Sequence, residues 1–253
     1  MHDRSKNRFH SMARVYDKMA PLLVPQYHFF QDSIIDFFNL TEPNEMSVVD
    51  LGAGSGIFLE KILRNNSYAT CCWIDSSKDF LEVARQKLAM YANRVEFILA
   101  PIESSWELRL SCRPDFIFSM SAIHHLEDFE KRALYQKCYE SLSDRGWLVN
   151  VDEMKTCCMD AYESNMRFWA GFVKNAKTQI PDSDLPDYEE WNHHFEEWKK
   201  RNIDQMRLPK SKGDDLHTSF QTQLAWLLDI GFKKVDLLLK YQLWCAICGQ
   251  KPH

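Results

Sequence analysis

The sequence lacks long apolar runs and lacks any block of basic residues. None of its 253 residues belongs to a run near the ~20 apolar residues that a membrane-spanning helix needs, and the polar stretch 1–8 does not have the form of a signal peptide. The formal net charge of −5 argues against a protein that binds nucleic acid chiefly through its phosphates. We therefore expect a soluble, cytoplasmic protein that has neither a membrane nor a nucleic acid as a partner.

The cysteines lack the spacing of a disulfide framework or of a zinc site. There are eight, and those at 71–72 and 157–158 are adjacent pairs, which rarely bridge and suit a reducing compartment. Cys245 and Cys248 are spaced as metal ligands, but no second pair at metal spacing accompanies them. We predict that they are residues of a terminal strand.

Glycine is scarce, and its clustering is the most informative feature of the chain. Three of the eight glycines lie within residues 52–56, after an apolar run that carries Asp50. Without Cβ atoms the backbone there can contact a ligand directly. The segment 57–64 has a helical pattern, so its free N–H groups face the glycine turn. A second apolar run ends at Asp75, about 20 residues beyond the glycines, where a carboxylate can accept both hydroxyls of a ribose.

The glycine spacing distinguishes between nucleotide cofactors. A dinucleotide fingerprint reads Gly-x-Gly-x-x-Gly, whereas Gly52, Gly54 and Gly56 are spaced two apart, and Ile57 occupies the place of the last dinucleotide glycine. The pattern acid-x-Gly-x-Gly-x-Gly resembles the first motif of the class I S-adenosylmethionine-dependent methyltransferases. The resemblance implies that the cofactor is S-adenosyl-L-methionine.

The resemblance also implies a set of cofactor-binding residues. In that family the strand-end acid and the glycines hold the methionyl part, and the second acid holds the ribose. The lead segment around Tyr16 and the run Pro25-Gln26-Tyr27 resemble the family as well, and there an aromatic ring lies over the cofactor, where it suits the positive sulfonium. The implied set is Asp50, Gly52, Ala53, Gly54, Asp75, Ser76, Pro101, Ile102, Ser119, Tyr16 and Tyr27.

The adenine contact departs from the family pattern. Many members place an Asp after the third strand, where it accepts a hydrogen bond from the adenine amino group. This chain has Pro101-Ile102-Glu103 there, with no Asp in register. Either Glu103 takes that role, or backbone groups at Pro101 and Ile102 hold the adenine.

The alternation of strand and helix patterns predicts an α/β fold in one domain, 1–253. Strand patterns cover 47–51, 69–74, 95–100, 114–120, 147–152, 233–239 and 241–249, and helix patterns cover 57–65, 78–91, 129–142 and 221–230. Such alternation demands a mainly parallel sheet with right-handed crossovers. The resemblance implies a Rossmann-like, seven-stranded, mostly parallel sheet in the order 3-2-1-4-5-7-6 with the last strand antiparallel.

Two helical segments lie outside this alternation. Residues 9–38 have apolar positions at helical spacing and are interrupted around Pro21 and Pro25, so we predict two helices in a lid segment, 1–40. Residues 154–220 form helical stretches rich in Trp, Tyr and charge, and we predict a helical cap insertion. Its aromatic side chains are expected to pack rather than to form a substrate cage.

The end of the fourth strand carries the candidate catalytic residues, His124 and His125. An imidazole titrates near neutrality and can take a proton from an acceptor. Alternatively, His125 caps or packs the helix that begins near Glu127, and His124 only shapes the pocket. The fifth strand ends in Asp152 and Glu153, which either support a histidine or cap the next helix.

Alternatively, histidines of the cap could bind a metal ion together with His124. His193, His194 and His217 of the cap, together with His124, are the candidate ligands, as in methyltransferases that act on keto acids. Metal binding needs neutral imidazoles at fixed geometry, and the cap has no His-x-x-x-His pair. We therefore predict surface histidines and no metal.

We expect a monomeric or homodimeric methyltransferase that transfers a methyl group to a small-molecule acceptor by in-line displacement. Three alternatives stay open. The segment Val24-Pro25-Gln26-Tyr27 also resembles carboxy-S-adenosylmethionine synthases of tRNA wobble modification, which need a cation for the added carboxylate. The candidates for this cation, none of which the sequence places in the site, are Lys199, Lys200, Arg201 and Arg207. The others are a methylase of tRNA or protein and a non-catalytic cofactor-binding module.

Overall fold

The computed structural model describes residues 13–41, 45–210 and 214–253. Seven strands form one sheet in the order β3-β2-β1-β4-β5-β7-β6. The strands are β1 (Ser47–Leu51), β2 (Thr70–Asp75), β3 (Val95–Leu99), β4 (Phe116–Met120), β5 (Trp147–Glu153), β6 (Lys233–Tyr241) and β7 (Trp244–Gln250). The predicted order is confirmed.

The first five strands run parallel, and β7 runs against them. β1 pairs in parallel with β2 and β4, so that Val49 lies opposite both Cys72 and Ile117. β7 is antiparallel to both β5 and β6, which confirms the antiparallel last strand. Because β1, β2, β4 and β5 are parallel, their carboxyl ends share one edge of the sheet, where ligands of such folds bind. Cys245 and Cys248 are buried residues of β7, as predicted.

Eight α-helices belong to the part of the chain that the structure describes. They are α1 (Tyr16–Leu23), α2 (Tyr27–Thr41), α3 (Ile57–Asn65), α4 (Lys78–Lys87), α5 (Asp128–Ser141), α6 (Met159–Ala176), α7 (Leu185–Lys199) and α8 (Phe220–Ile230). The predicted helix 78–91 is shorter than expected, because α4 ends at Lys87 and a 3-10 turn, Ala89–Arg94, follows it.

The sheet is covered on both faces because its strands alternate their apolar side chains. In β1, Val48 packs with α2, α3 and the cap, whereas Val49 packs with α5 and α8. Successive residues of a strand point to opposite faces, so a continuous apolar run is what a doubly covered strand requires. The two cores fix the strand ends that carry the candidate site.

The two lid helices differ from the prediction at Pro21. The chain does not break there, because Pro21 lies inside α1 and its missing N–H costs only the bond to the carbonyl four residues earlier. The amide of Val24 still donates to the Ala20 carbonyl (2.9 Å), and the break falls before Tyr27, at Gln26, whose φ is +62°. The predicted start at residues 9–12 lies outside the described residues.

The cap extends from the end of β5 to the start of α8. It contains α6, α7 and a π-helical turn, Lys200–Asp204, and its two ends meet in a parallel bridge between Lys155 and Ser219. The cap contacts the lid, since the Trp169 indole donates to the Leu23 carbonyl (2.6 Å). Among the described residues, no helix is long and apolar enough to cross a membrane.

Candidate active site

The turn after β1 contains two glycines that are required for different reasons. Both are left-handed, with φ of +72° at Gly52 and +50° at Gly54. A Cβ at Gly52 would lie 2.4 Å from the Ala122 Cβ, whereas a Cβ at Gly54 would meet nothing closer than the Phe80 ring at 3.8 Å. Gly52 therefore makes room for the loop after β4, and Gly54 leaves its space open to a ligand.

This difference predicts unequal costs of two substitutions. We expect Gly52→Ala to lower the free energy of unfolding by about 1–3 kcal/mol, because it crowds the Ala122 methyl. Gly54→Ala should cost only about 1 kcal/mol, the cost of a left-handed backbone without a clash. Urea unfolding followed by circular dichroism measures both. Equal losses for the two variants would contradict the assignment.

The two predicted acids lie at the same end of the cleft. Asp50 is buried at 3 % exposure, and burial together with the neighbouring Asp75 carboxylate raises its pKa well above the ordinary value. Asp75 accepts one hydrogen bond from the Gly54 amide (2.9 Å) and one from the Ser77 amide (2.8 Å). Its carboxylate therefore joins the glycine turn to the start of α4, with Ser76 exposed beside it.

The lid brings the two predicted tyrosines to these acids. Burial raises the pKa of the Tyr16 phenol, and the carboxylates of Asp17, Glu153, Asp75 and Asp50 raise it further. Burial also raises the pKa of Tyr27, and the Tyr16 phenol adds to that effect. The sequence-predicted residues of β1, β2 and the lid thus meet at one place.

A group of polar contacts ties α1 to the glycine turn and to α4, and we call it the lid latch. Asp17 accepts hydrogen bonds from the Ser55 hydroxyl and from the Lys87 ammonium group. The Lys87 ammonium group also lies 3.3 Å from the Ser55 hydroxyl oxygen. These bonds fix α1 over the cleft.

The remaining predicted cofactor contacts lie nearby and stay predictions. The Ala100 amide donates to the Asp75 carbonyl (2.9 Å), which places Pro101 and Ile102 beside the end of β2. Glu103 is exposed. The Ser119 hydroxyl is buried and donates to the Leu51 carbonyl (2.8 Å), so this side chain joins β4 to β1.

The end of β4 places His124 against the end of β5. The His124 amide donates to one Asp152 carboxylate oxygen (2.9 Å), and its Nδ1 lies 2.6 Å from the other. Burial alone would lower the pKa of His124, but the carboxylates of Glu153 and Asp152 outweigh it and raise the pKa to about 10. Burial and the charge of His124 lower the pKa of His125 to about 4. A general-base role for either histidine stays a prediction.

The contacts bear on two of the alternatives at these strand ends, and packing of His125 against α5 stays a prediction. His125 does not cap α5, because Glu127 is the N-cap and forms a capping box with Glu130. The acids at the end of β5 support histidines rather than cap a helix, since Asp152 holds His124 and Glu153 lies 3.2 Å from His217 Nε2.

The sequence analysis did not identify Asp215. In the folded chain, the last segment of the cap brings Asp215 next to the end of β4. One Asp215 oxygen accepts from the Asn202 amide (3.0 Å) and the Trp198 indole. The other lies 3.8 Å from His124 Nε2 and 3.6 Å from His125 Nδ1. Residues two apart in an extended segment face the same side. The spacing of Asp215 and His217 could therefore have indicated that the two side chains belong to one site.

The segment that carries Asp215 is fixed by a buried lysine. Lys131 is 1 % exposed, and its ammonium group donates to the Leu216 carbonyl and to the Thr218 hydroxyl (2.8 Å). The Leu216 amide donates to the His124 carbonyl (2.8 Å). We call the segment 215–218 the cap return. These hydrogen bonds hold it against the end of β4, so it is part of the candidate active site.

Three buried polar atoms at this edge have no hydrogen-bond partner within the described part of the chain. They are Gln31 Oε1, Ser121 Oγ and Trp244 Nε1. Ser121 has a φ of +52°, and strained backbone of this kind is concentrated at binding sites. Native proteins seldom leave buried polar groups unpaired, so a ligand or an ordered water is the expected partner of these atoms.

Residues 48–146 match a family profile described as a methyltransferase domain. Among curated proteins, the chain is 21% identical over 248 residues to the carboxy-S-adenosyl-L-methionine synthase of Helicobacter hepaticus, across 95% of this chain and 92% of that protein. It is 27% identical over 165 residues to carboxy-S-adenosyl-L-methionine synthase 1 of Yersinia pseudotuberculosis, across 64% of this chain and 67% of that protein.

Solved structures share the fold. An O-methyltransferase family protein from Burkholderia thailandensis superposes with a TM-score of 0.65 at 15% identity, covering 98% of this chain and 62% of that chain. A structure of PigF with SAH superposes with a TM-score of 0.61 at 12% identity, covering 98% of this chain and 61% of that chain. The chain thus spans about three fifths of the length of these solved proteins. At such identities the likeness shows the Rossmann-like methyltransferase fold.

Proposed function

We propose that this chain, of which residues 48–146 match a methyltransferase domain, is a class I S-adenosylmethionine-dependent methyltransferase that transfers the methyl group to a small-molecule acceptor held beneath the lid and the cap. The observation that supports the proposal is that the lid and the cap contact each other over the carboxyl ends of the strands. The lid contacts the cap through Trp169 and Leu23 (2.6 Å) and through Lys18 and Asp184 (2.9 Å). This closure favours an acceptor small enough to fit below these contacts.

The residues at the glycine turn fit the cofactor. The space beside Gly54 lets a ligand approach the backbone, and Asp75 presents a carboxylate there that is suited to a ribose diol. Asp50 lies at the end where the methionyl part is expected. When bound, S-adenosylmethionine supplies a methyl group on a positive sulfonium. We propose that the Tyr16 ring, which is close enough to Asp50 and Asp75 to be affected by their charges, faces that positive charge.

The chain's own contribution to catalysis is positioning and exclusion of water. Methyl transfer is an in-line displacement, so the rate depends on alignment of the acceptor with the methyl group. Gln31, Ser121 and Trp244 offer one acceptor, one hydroxyl and one donor that are buried and unpaired in the described structure. We propose that these three atoms orient the acceptor, and that the lid and the cap keep the cleft dry.

Two measurements test the proposal. Calorimetric titration with S-adenosylhomocysteine, the demethylated product, should show one site per chain. Incubation with cofactor that carries a labelled methyl group and a cell extract should then place the label in the small-molecule fraction. Label in RNA or protein would contradict the small-molecule acceptor, and absence of cofactor binding would remove the function itself.

The position of Tyr16 predicts a preference for the charged cofactor. Tyr16→Leu keeps apolar bulk but removes the aromatic face, and a cation–π contact contributes about 0.5–2 kcal/mol. We expect S-adenosylmethionine to bind about 2- to 30-fold more weakly to this variant, and S-adenosylhomocysteine, which lacks the charge, to lose less. Tyr68→Leu, at a residue 71% exposed, is the matched control. Equal losses for both ligands would show that Tyr16 only packs.

A second candidate, the synthesis of carboxy-S-adenosylmethionine, is favoured by the names of the curated relatives. It needs a cation for the added carboxylate. Two of the cations that the sequence analysis proposed already have acidic partners. Arg207 is 85% exposed and paired with Glu163, and Arg201 lies 3.6 Å from Asp214. At the acceptor end of the cleft, the described side chains include the carboxylates of Glu153 and Asp215. Mass spectrometry of ligand released from the purified protein distinguishes the two, and carboxylated cofactor would favour the second.

A further inference from the structure

We propose that His124, His125, Glu153, Asp215 and His217 form a binding site for one divalent first-row transition-metal ion at the acceptor end of the cleft. These residues form two groups that share Asp215. In each group the potential ligand atoms all lie within 4.8 Å of one another. The residues come from the end of β4, the end of β5 and the cap return, so only the folded chain assembles them.

The separations between these ligand atoms are compatible with a shared ion, and two of them are too long for direct hydrogen bonds. Asp215 Oδ1 lies 3.8 Å from His124 Nε2 and 3.6 Å from His125 Nδ1, beyond the usual hydrogen-bond range. Two ligand atoms that each lie about 2.0–2.2 Å from one ion stand roughly 3–4 Å apart. Glu153 Oε2 and His217 Nε2, 3.2 Å apart, fall within the same interval.

The outer atoms of three of these ligands are already held by neighbours. His124 Nδ1 is bonded to Asp152 (2.6 Å), and His217 Nδ1 lies 2.7 Å from the Tyr162 hydroxyl. The outer oxygen of Asp215 accepts from the Asn202 amide. Metal-binding histidines almost always have such a partner on the second ring nitrogen, which fixes the ring and its tautomer. The opposite nitrogens of His124 and His217 are thereby directed at Asp215 and Glu153.

Charge and donor type indicate the class of ion. The site places two ligand carboxylates, Glu153 and Asp215, in the protein interior, and a bound cation offsets the cost of burying them. Imidazole with carboxylate suits Zn²⁺, Mn²⁺, Fe²⁺ or Co²⁺, whereas Mg²⁺ and Ca²⁺ prefer oxygen ligands alone. This inference replaces the sequence-based expectation of no metal. His193 and His194 take no part in either group.

The position of the ion beside the cofactor rests on the proposed function, whereas the ion site itself does not. Glu153 belongs to the metal group and also acts electrostatically on the Tyr16 phenol. Glu153 is the last residue of β5, at the edge of the sheet where ligands of such folds bind. An ion bound by Glu153 would therefore lie at that edge, where it can take an oxygen of the acceptor as a further ligand.

The experiment uses the full chain after treatment with a chelator. Titration with Co²⁺, followed by its visible absorption, should show one equivalent bound per chain, and Zn²⁺ should displace it. We expect His217→Gln and Asp215→Asn each to weaken Co²⁺ binding by about 10- to 100-fold or more, and Tyr162→Phe by about 10-fold, since Tyr162 only orients His217. His193→Gln, which removes an exposed cap imidazole, should bind as the wild type does.

Binding of S-adenosylhomocysteine to each variant is measured in parallel. It reports folding, and it separates failure of the metal site from failure of the proposed function. The metal site is overturned if the wild type binds no stoichiometric Co²⁺ or Zn²⁺. It is equally overturned if the His217, Asp215 and Tyr162 variants that still bind S-adenosylhomocysteine keep wild-type affinity for Co²⁺, or if His193→Gln loses as much as they do.

Discussion

Asp75→Asn is expected to weaken the binding of S-adenosylhomocysteine by about 100-fold or more. The Asp75 carboxylate already accepts from the amides of Gly54 and Ser77, and in the proposed function it also accepts from the two ribose hydroxyls. An asparagine has one acceptor oxygen and must turn its NH₂ group toward one of those donors. Loss of charge-assisted hydrogen bonds of about 1.5–3 kcal/mol each gives this change in affinity.

Calorimetry with purified protein measures the affinity, and Glu82→Gln is the matched control. Glu82 is an exposed residue of α4, so the control removes the same charge near the site without touching the glycine turn. We expect it to bind as the wild type does. An Asp75→Asn variant that binds within about threefold of the wild type, a difference below 1 kcal/mol, would show that Asp75 only supports the turn.

Asp152→Ala should lower the free energy of unfolding by about 3–5 kcal/mol, the usual cost of removing one partner from a buried charged pair. Asp152 is 2% exposed. It accepts from the amide and the Nδ1 of His124 (2.9 and 2.6 Å) and from the Glu153 amide (3.0 Å). The substitution leaves these buried groups without an acceptor, and each unsatisfied group adds to the cost.

Urea unfolding compares this variant with Asp144→Ala. Asp144 is exposed in the turn before β5, and exposed substitutions of this kind usually change stability by less than about 0.5 kcal/mol. A loss below about 1 kcal/mol for Asp152→Ala would mean that the His124 contact contributes little to folding. The site at the end of β4 would then be held mainly by Lys131 and the cap return.

The sheet and the cofactor end of the site were predictable because their signals are local. Helix α3 begins and ends where its apolar spacing predicts, 57–65, since Gly56 supplies the left-handed residue that starts it. Asp50 and Asp75 were found because each ends an apolar run of its own strand. The parallel arrangement then brings strand ends together regardless of what lies between them.

The acceptor end was predictable only in part, because its residues are far apart in the sequence. His124, His125, Glu153 and His217 were candidates from the sequence, whereas Asp215 was missed. His124 and Asp215 are separated by most of α5, β5 and the cap, and no periodic pattern links them. Two of the candidate metal ligands from the sequence, His193 and His194, lie on a cap helix and join neither metal group. Pro21 was assigned to a break because the pattern cannot show that a helix loses only one hydrogen bond there.

The lid latch has a kinetic consequence. Because Asp17 ties α1 to Ser55 and Lys87, we expect spent donor to leave and fresh donor to enter only after these bonds open. We expect the exchange step, rather than the displacement itself, to set the pace of repeated turnover. The protein should accordingly retain its nucleoside through purification.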